Sequence, residues 1–441
     1  MISSILIANR GEIAVRIIRT CKEMGIRSVA VYSEADKESL HVKMADRAVC
    51  IGPPSSKDSY LRMENIVSAA VLSGCDAVHP GVGFLAENAR FARIVKQAGL
   101  IFIGPEPEVI DRLGDKVEAK RTAKAAGVPV IPGAEGSIED EDQALEDAQA
   151  IGFPVIVKAA AGGGGKGMRI VNKKEDFIRT LKTAAHEAEM AFSDSTVYLE
   201  KYIVNPRHVE LQILADAEGN VIHLGERDCS VQRNHQKLIE ESPSPGVSTE
   251  MRQSMGENAV QLFRDLKYTG AGTIEFLVYE GNYYFMEVNA RVQVEHPVTE
   301  MVTGVDIIKE QIRVASGLKL EVEQKDVRLD GYAIECRINA TTPGKVTNYL
   351  PPAGYNVRID SFLYPGCTVP PFYDSLVGKV IVKGADRKEG LSRMQRALDE
   401  LIIEGIRVNR EEQMEIISHP VFVKGDFGTN VLGSIFKKDK K

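Results

Sequence analysis

Strand and helix patterns alternate through roughly the first hundred residues, and this alternation restricts the fold more than any other feature of the chain. Ile5-Leu6-Ile7-Ala8 reads as a buried strand. Gly11 to Met24 reads as a helix with Ile13, Val15, Ile17, Ile18 and Cys21 on its apolar side. Ser28–Tyr32, Ala48–Ile51, Ala77–Val78 and Ile101–Ile103 are further short strands, and Tyr60–Leu72 and Glu87–Ala98 are helices. Such a chain builds a mainly parallel sheet with helices on both faces. The turn after the first strand, Ala8-Asn9-Arg10-Gly11-Glu12, lacks GxGxxG, so the topology is Rossmann-like without a dinucleotide fingerprint.

The rest of the chain is α/β and α+β in character. A turn-rich connector, Gly127 to Gly133, leads into an acidic helix around Glu139–Ala150 and a strand, Pro154–Lys158. The block at about 130–203 reads as a small separate lobe. Long strands begin at Arg207, a helix spans Met251–Asp265, a hairpin covers 272–289, and another α/β segment runs from about 331 to the end. A net charge of −7 argues against nucleic acid as a partner. The basic cluster Lys437, Lys438, Lys440 and Lys441 reads as a solvated end. Six scattered cysteines with no CxxC pair suggest reduced thiols and a cytoplasmic setting. The apolar start stops at Asn9-Arg10, too short for a signal peptide or a membrane span.

Three motifs carry chemistry. Ala161 to Gly167 holds five glycines in seven residues between two strand patterns. Such a loop costs entropy and packs poorly, but its N–H groups can close around phosphate oxygens. The alternative, a simple hairpin turn, needs one or two glycines. Lys158, ending the preceding strand, can reach an α/β-phosphate. The second motif is the hairpin around Glu280-Gly281-Asn282. If it is symmetric about Gly281, Glu275 faces Glu287. Opposed carboxylates repel unless a cation lies between them, and Asn289 adds an amide oxygen on the same face. A solvated strand face would show the same pattern, and pairing alone leaves both readings open. The third motif is a period-two series, Glu287, Asn289, Arg291, Gln293, Glu295, expected as one extended face that could bind a small oxyanion beside the metal. His208 and Glu210 share a face of the strand Arg207–Leu214. The polar stretch Gln232 to Lys237, taken alone, reads as a surface loop; a nearby phosphate would recruit His235 and Lys237.

These residues together resemble biotin carboxylase of the ATP-grasp superfamily. The resemblance rests on Ala8-Asn-Arg-Gly-Glu-Ile-Ala14, His79-Pro-Gly81, Phe84-Leu-Ala-Glu-Asn88, Lys158 with the glycine loop, and Glu200-Lys-Tyr-Ile203. It continues through Pro206-Arg-His-Val-Glu210, Glu226-Arg-Asp-Cys-Ser230, Arg291-Val-Gln-Val-Glu-His-Pro-Val-Thr-Glu300 and Glu335-Cys-Arg-Ile-Asn339, covering essentially the whole chain. It implies a Rossmann-like domain at 1–114, an ATP-grasp region at 115–330 whose lid is about 130–203, and a biotin carboxylase C-terminal domain at 331–441. Lys116, Lys158 and the Gly164-Gly165 backbone would hold phosphates. Glu200, Lys201, Tyr202 and Ile203 would frame the adenine, Ile203 with a main-chain donor, and His208, Gln232, His235 and Glu275 would complete the ATP site. Glu275, Glu287 and Asn289 would hold magnesium or manganese. Lys237, Arg291, Gln293 and the Val294 backbone would bind bicarbonate, Glu295 would be the general base, and Arg337 with Arg291 would hold the biotin oxyanion.

By the same resemblance, biotin arrives on a separate carrier protein and passes to a carboxyltransferase, most often in the acetyl-CoA carboxylase of fatty acid biosynthesis. A homodimer is expected, with Arg19, Glu23 and Arg358 at interface positions. Two departures stand out. Val82 replaces the usual Tyr that contacts biotin, and the loop Ile338 to Gly344, directly after Arg337, is several residues short. A nucleotide-binding or scaffolding paralogue, or another ATP-grasp ligase, would be the alternative readings.

Overall fold

The computed structural model describes residues 2–134, 136–138, 140–159, 167–192 and 194–436. Gly164, Gly165 and the lysine tail lie outside the described residues. Strands β1 (Ser4–Ile7), β2 (Arg27–Ser33), β3 (Arg47–Gly52), β4 (Ala77–His79) and β5 (Ile101–Phe102) form a parallel sheet in the order β3-β2-β1-β4-β5. Connections leave β1 in both directions, so the carboxyl ends of β1 and β4 flank the crevice where doubly wound sheets bind ligands. Asn9, just beyond β1, donates from Nδ2 to the carbonyls of Pro80 (2.8 Å) and Val82 (2.7 Å) beyond β4. Gly81 has φ +66°, and a Cβ there would come within 2.9 Å of Asn9 Nδ2. The turn at the crevice mouth therefore requires glycine at this position.

The helix Gly11–Glu23 buries Ile13, Ala14, Ile17, Ile18 and Cys21 in the core beside the parallel sheet. Its other side is buried as well. Val15 enters the C-terminal core, while Glu12 and Arg16 pair with Lys379 and Glu300. One helix thus binds the N-terminal sheet to the rest of the molecule.

A small antiparallel sheet, β7-β6-β8, consists of β6 (Val155–Ala159), β7 (Met168–Val171) and β8 (Val197–Lys201). The helices Glu141–Ile151 and Phe177–Phe192 cover it, and Ala148, Val155, Val157, Phe177, Leu181 and Leu199 form its own core. The first of these helices starts where Asp140 caps the Gln143 N–H at 2.8 Å, with acidic residues in its first turn.

The largest sheet has eight strands. Its first five are β9 (Arg207–Ala215), β10 (Val221–Arg233), β11 (Gln236–Ser242), β12 (Gly270–Tyr279) and β13 (Asn282–Asn289). From the C-terminal segment come β14 (Tyr332–Asn339), β17 (Val357–Ser361) and β19 (Leu376–Gly384). Two short ribbons, β15 (Gly344–Lys345) with β18 (Thr368–Val369) and β16 (Asn348–Leu350) with β20 (Ile402–Glu404), lie apart from it. The strand order is β13-β12-β9-β10-β11-β14-β19-β17. The β11–β14 pairing, Ile239 with Cys336 and Glu240 with Glu335, carries the sheet unbroken into the C-terminal segment. Among the described residues no helix is long and apolar enough to cross a membrane.

Candidate active site

The hairpin of β12 and β13 places the acidic pair, by a route different from simple symmetry. Its turn holds only two residues, Glu280 and Gly281, at φ +48° and +75°. That turn pairs Tyr279 with Asn282 and Phe276 with Phe285. A bulge at Met286 then adds one residue to β13, so Glu275 meets Glu287 and Thr273 meets Asn289. Glu287 is exposed to the cleft. Loss of water on the crowded cleft floor and repulsion from Glu275 raise its carboxyl above the ordinary range, with Lys116 opposing.

Glu275 is buried and heavily bonded. It accepts from His208 Nε2 (2.7 Å), Lys237 Nζ (3.0 Å), Asn289 Nδ2 (2.9 Å) and Gln293 Nε2 (3.3 Å). The bond from Nε2 fixes the histidine tautomer, leaving Nδ1 to accept from Gln232 at 3.4 Å. Burial alone would raise the Glu275 carboxyl, but Lys237 and His208 outweigh it and hold it well below the ordinary range. Lys237 is the hub of the site. Its ammonium touches Glu210 (2.6 Å), Glu275 (3.0 Å) and Glu295 (2.7 Å). Glu210 is held in turn by the fully buried Arg227.

The expected extended face from Glu287 to Glu295 ends at Asn289. Residues 290–295 bend and turn into the helix His296–Thr303, which has Pro297 in its first turn. The side chains still converge, through hydrogen bonds and not through strand alternation. Arg291 donates to Glu87 (2.7 Å), Asn289 Oδ1 (3.0 Å) and Gln293 Oε1 (2.8 Å). Glu295 lies between Lys237 and Arg337, the latter at 2.9 Å. Those two cations, against the opposing effect of burial, hold the Glu295 carboxyl well below the ordinary range.

Gln232 to Lys237 is the tip of a hairpin, not an open loop. Asn234 and His235 form its turn at φ +50° and +64°, exposing His235 while Lys237 points inward. At the other end of the cleft, Glu200 is sandwiched between Lys120 (2.8 Å) and Lys158 (2.5 Å). Lys201 turns away and donates to the Gly152 carbonyl at 2.9 Å. The side chains of Glu200 and Lys201 are thus committed to protein partners. The N–H groups of Lys201 and Tyr202 are likewise taken by the Pro132 and Pro154 carbonyls. Ile203, buried beside them, has no such carbonyl partner among the described residues. Lys116 begins the helix Lys116–Ala125, whose Asp115 cap accepts from Val117 and Glu118; burial lowers its ammonium pKa, and Glu287 opposes that effect.

Val82 packs half-buried against the N-terminal core. The short loop after Arg337 is pinned down: Asn339 N–H reaches Asn409 Oδ1 at 2.8 Å, and Ala340 and Thr341 bond the carbonyls of Ser375 and Arg407. Arg19 and Glu23 are exposed, whereas Arg358 is tied to Asp360 and Glu300 within the chain.

Three participants carried no assigned role in the sequence: Glu87, Lys120 and Glu240. Glu240 is the acceptor for Arg337 Nε at 2.6 Å. Burial, only partly offset by Arg337 and reinforced by Glu295, raises its pKa from 4.5 to about 7. A carboxyl raised on folding binds its proton more tightly folded than unfolded, so this group makes stability fall as pH rises from about 4.5 to about 7. Glu240→Gln should flatten that slope in thermal melts run between about pH 5 and 8. An identical slope in the variant would place the proton elsewhere.

The N-terminal parallel sheet, the small lobe and the long antiparallel sheet surround a cleft of lysines and paired carboxylates, the arrangement of an ATP-grasp enzyme. Residues 115–323 match the family described as carbamoyl-phosphate synthase L chain, ATP binding domain. Residues 1–110 match the biotin carboxylase N-terminal domain, and residues 335–434 match the biotin carboxylase C-terminal domain. Biotin carboxylase 1 of Bacillus subtilis is 55% identical over 443 residues, covering 98% of each chain. Among solved structures, a Campylobacter jejuni biotin carboxylase–β-γ-ATP complex superposes with a TM-score of 0.94 at 48% identity, covering 98% of this chain and 99% of that one. The biotin carboxylase domain dimer of Hydrogenobacter thermophilus 2-oxoglutarate carboxylase, with MgADP, ADP and bicarbonate, gives 0.93 at 46% identity over 98% of both chains. The chain belongs to the biotin carboxylase family, and its activity is the ATP-dependent carboxylation of biotin.

Proposed function

We propose that this chain activates bicarbonate with ATP and passes the carboxyl group to biotin on a separate carrier protein, the first half-reaction of acetyl-CoA carboxylase. The observation that carries this reading is the hydrogen-bonded series Glu275–Lys237–Glu295–Arg337, which sets a metal-type carboxylate, a cation, a base and a second cation side by side. Lys116 and Lys158 bind the phosphates, and Ile203 offers its N–H to the adenine. Glu275 and Glu287, with Asn289, present hard oxygen donors on facing strands, a set that fits magnesium or manganese. When bound there, the ion neutralises charge on the phosphate oxygens.

Lys237, Arg291, Gln293 and the Val294 N–H hold bicarbonate. Glu295 removes its proton, and the oxygen so freed attacks the γ-phosphorus as ADP leaves, giving carboxyphosphate. With both cations on it, Glu295 is a weak base. As Lys237 and Arg337 turn to the incoming anions, their hold on Glu295 relaxes and its basicity rises. Closure of the 130–203 lobe keeps water from the labile product. Carboxyphosphate releases CO₂, the phosphate takes the proton from biotin N1′, and Arg291 with Arg337 steadies the resulting ureido oxyanion while N1′ takes up CO₂.

The chain acts in the cytoplasm as a homodimer, supplying carboxybiotin to a carboxyltransferase that chooses the acyl acceptor. Nothing observed favours a purely scaffolding role. Bicarbonate-dependent ATP hydrolysis, measured with and without free biotin, tests the proposal. Stimulation by biotin is expected; slow hydrolysis indifferent to biotin would point to a chain that has lost the second half of the chemistry.

A further inference from the structure

Lys379 lies in the middle of β19 with no solvent exposure. Its ammonium donates to the Val294 carbonyl at 2.6 Å and lies 3.2 Å from Glu12, in the first turn of the helix Gly11–Glu23. In register it stands opposite Arg337 on β14 and Asp360 on β17. Two cations opposite one another on neighbouring strands repel. Here both are directed at the same turn: Arg337 grips the Glu295 carboxylate at 2.9 Å, and Lys379 grips the carbonyl just before that residue. The peptide before it is fixed as well, because His296 Nδ1 donates to the Gln293 carbonyl at 2.8 Å. Residues 290–295 lie outside any strand ladder, so these side-chain anchors set the orientation of the turn.

We infer that Lys379 is a positioning residue for the bicarbonate step, fixing from the C-terminal strand the turn that presents the Val294 N–H and the Glu295 carboxylate. The inference rests on the reading of Glu295 as the base. A plain alternative is a strut between the N-terminal helix and the C-terminal sheet. Buried ion pairs are weak stabilisers, however, and apolar residues often replace them without loss. This cluster is also poorly satisfied: among the described residues, the Glu12 carboxylate has only the 3.2 Å ion pair with Lys379, and neither carboxylate oxygen of Glu335 has a hydrogen-bond partner. Burial alone would discharge Lys379, but Glu12, Glu335 and Asp360 keep it charged. The hydrogen bond maintained at that cost ends on the main chain of the catalytic turn.

The test compares Lys379→Met, Lys379→Arg and the double variant Glu12→Gln with Lys379→Met, which removes both buried charges if the single variant folds poorly. Bicarbonate-dependent ATP hydrolysis is measured with each substrate varied, alongside MgATP titration and Tm. A displacement of about 1 Å can cost about 100-fold, so kcat/KM for bicarbonate should fall by roughly that factor in both methionine variants. KM for ATP should stay within about threefold, and Lys379→Arg, which keeps a donor, should recover part of the loss. Folded methionine variants with unchanged bicarbonate kinetics, or with equal losses for both substrates that follow Tm, would reduce Lys379 to a strut. Glu295→Gln is assayed in parallel. If it keeps full turnover, the base assignment itself fails; if it is inactive while the Lys379 variants are normal, only the present inference fails.

Discussion

Glu295→Gln should lower bicarbonate-dependent ATP hydrolysis by about 10²–10⁴-fold, the usual worth of a general base, while MgATP affinity barely changes. Glutamine keeps the shape of the side chain and loses its charge. Its amide also sets a donor among donors, because Lys237 and Arg337 both point at the wild-type carboxylate. ATP binding should survive because Lys158 and Glu200, proposed for the nucleotide, pair with each other and not with Glu295. Steady-state hydrolysis with nucleotide titration separates the two effects. Loss of nucleotide binding in this variant would count against a base and for a structural role.

Lys237→Met should be more damaging still. Glu210, Glu275 and Glu295 share this one ammonium, and all three are buried. Removing one partner of a buried ion pair costs about 3–5 kcal/mol, because the remaining charge stays uncompensated. Arg227 and Arg337 still serve Glu210 and Glu295, so Glu275 suffers most. Turnover should vanish and Tm should drop. Because the chain holds several packed units, Tm here is an operational midpoint, not a two-state free energy. Magnesium should raise Tm further in the variant than in the wild type, since a cation near Glu275 and Glu287 replaces the missing charge. A melt unaffected by the substitution would mean that the carboxylates neutralise themselves by binding protons.

The parallel sheet was legible because each of its strands is a short apolar run beside a helical pattern, a purely local signal. The eight-stranded sheet was not, since β11 and β14 join residues almost a hundred positions apart. Symmetry about Gly281 pairs Glu275 with Glu287, but the two-residue turn by itself would set Glu275 against Met286; the bulge, which leaves no local sequence signal, restores the pair. The bend after Asn289 could not be read from polar alternation, which mimics a strand; Pro297, in the first turn of the following helix, is the signal that marks it. Lys379 interrupts the apolar run from Val377 to Val382, and Glu240 directly follows the apolar pair Leu238-Ile239. A charge in such a place is readable only as an anomaly until the distant strand bearing its partner is known. Arg337, by contrast, is singled out by the family resemblance, although its pairing with Glu240 and Glu295 is not.

The bulge at Met286 has an effect beyond lining up two acids. It shifts the phase of β13: Tyr283 and Phe285, at odd positions, point into the core, and beyond the extra residue Val288, at an even position, takes over that role, followed by Ala290 just past the strand's end. Phe276 and Tyr283 meet edge to face at 5.4 Å beneath the first half. Sliding the strand by one residue would put either those aromatic rings in water or Glu287 in oil. The Glu287 carboxylate therefore takes its alignment from aromatic side chains on the far side of the sheet.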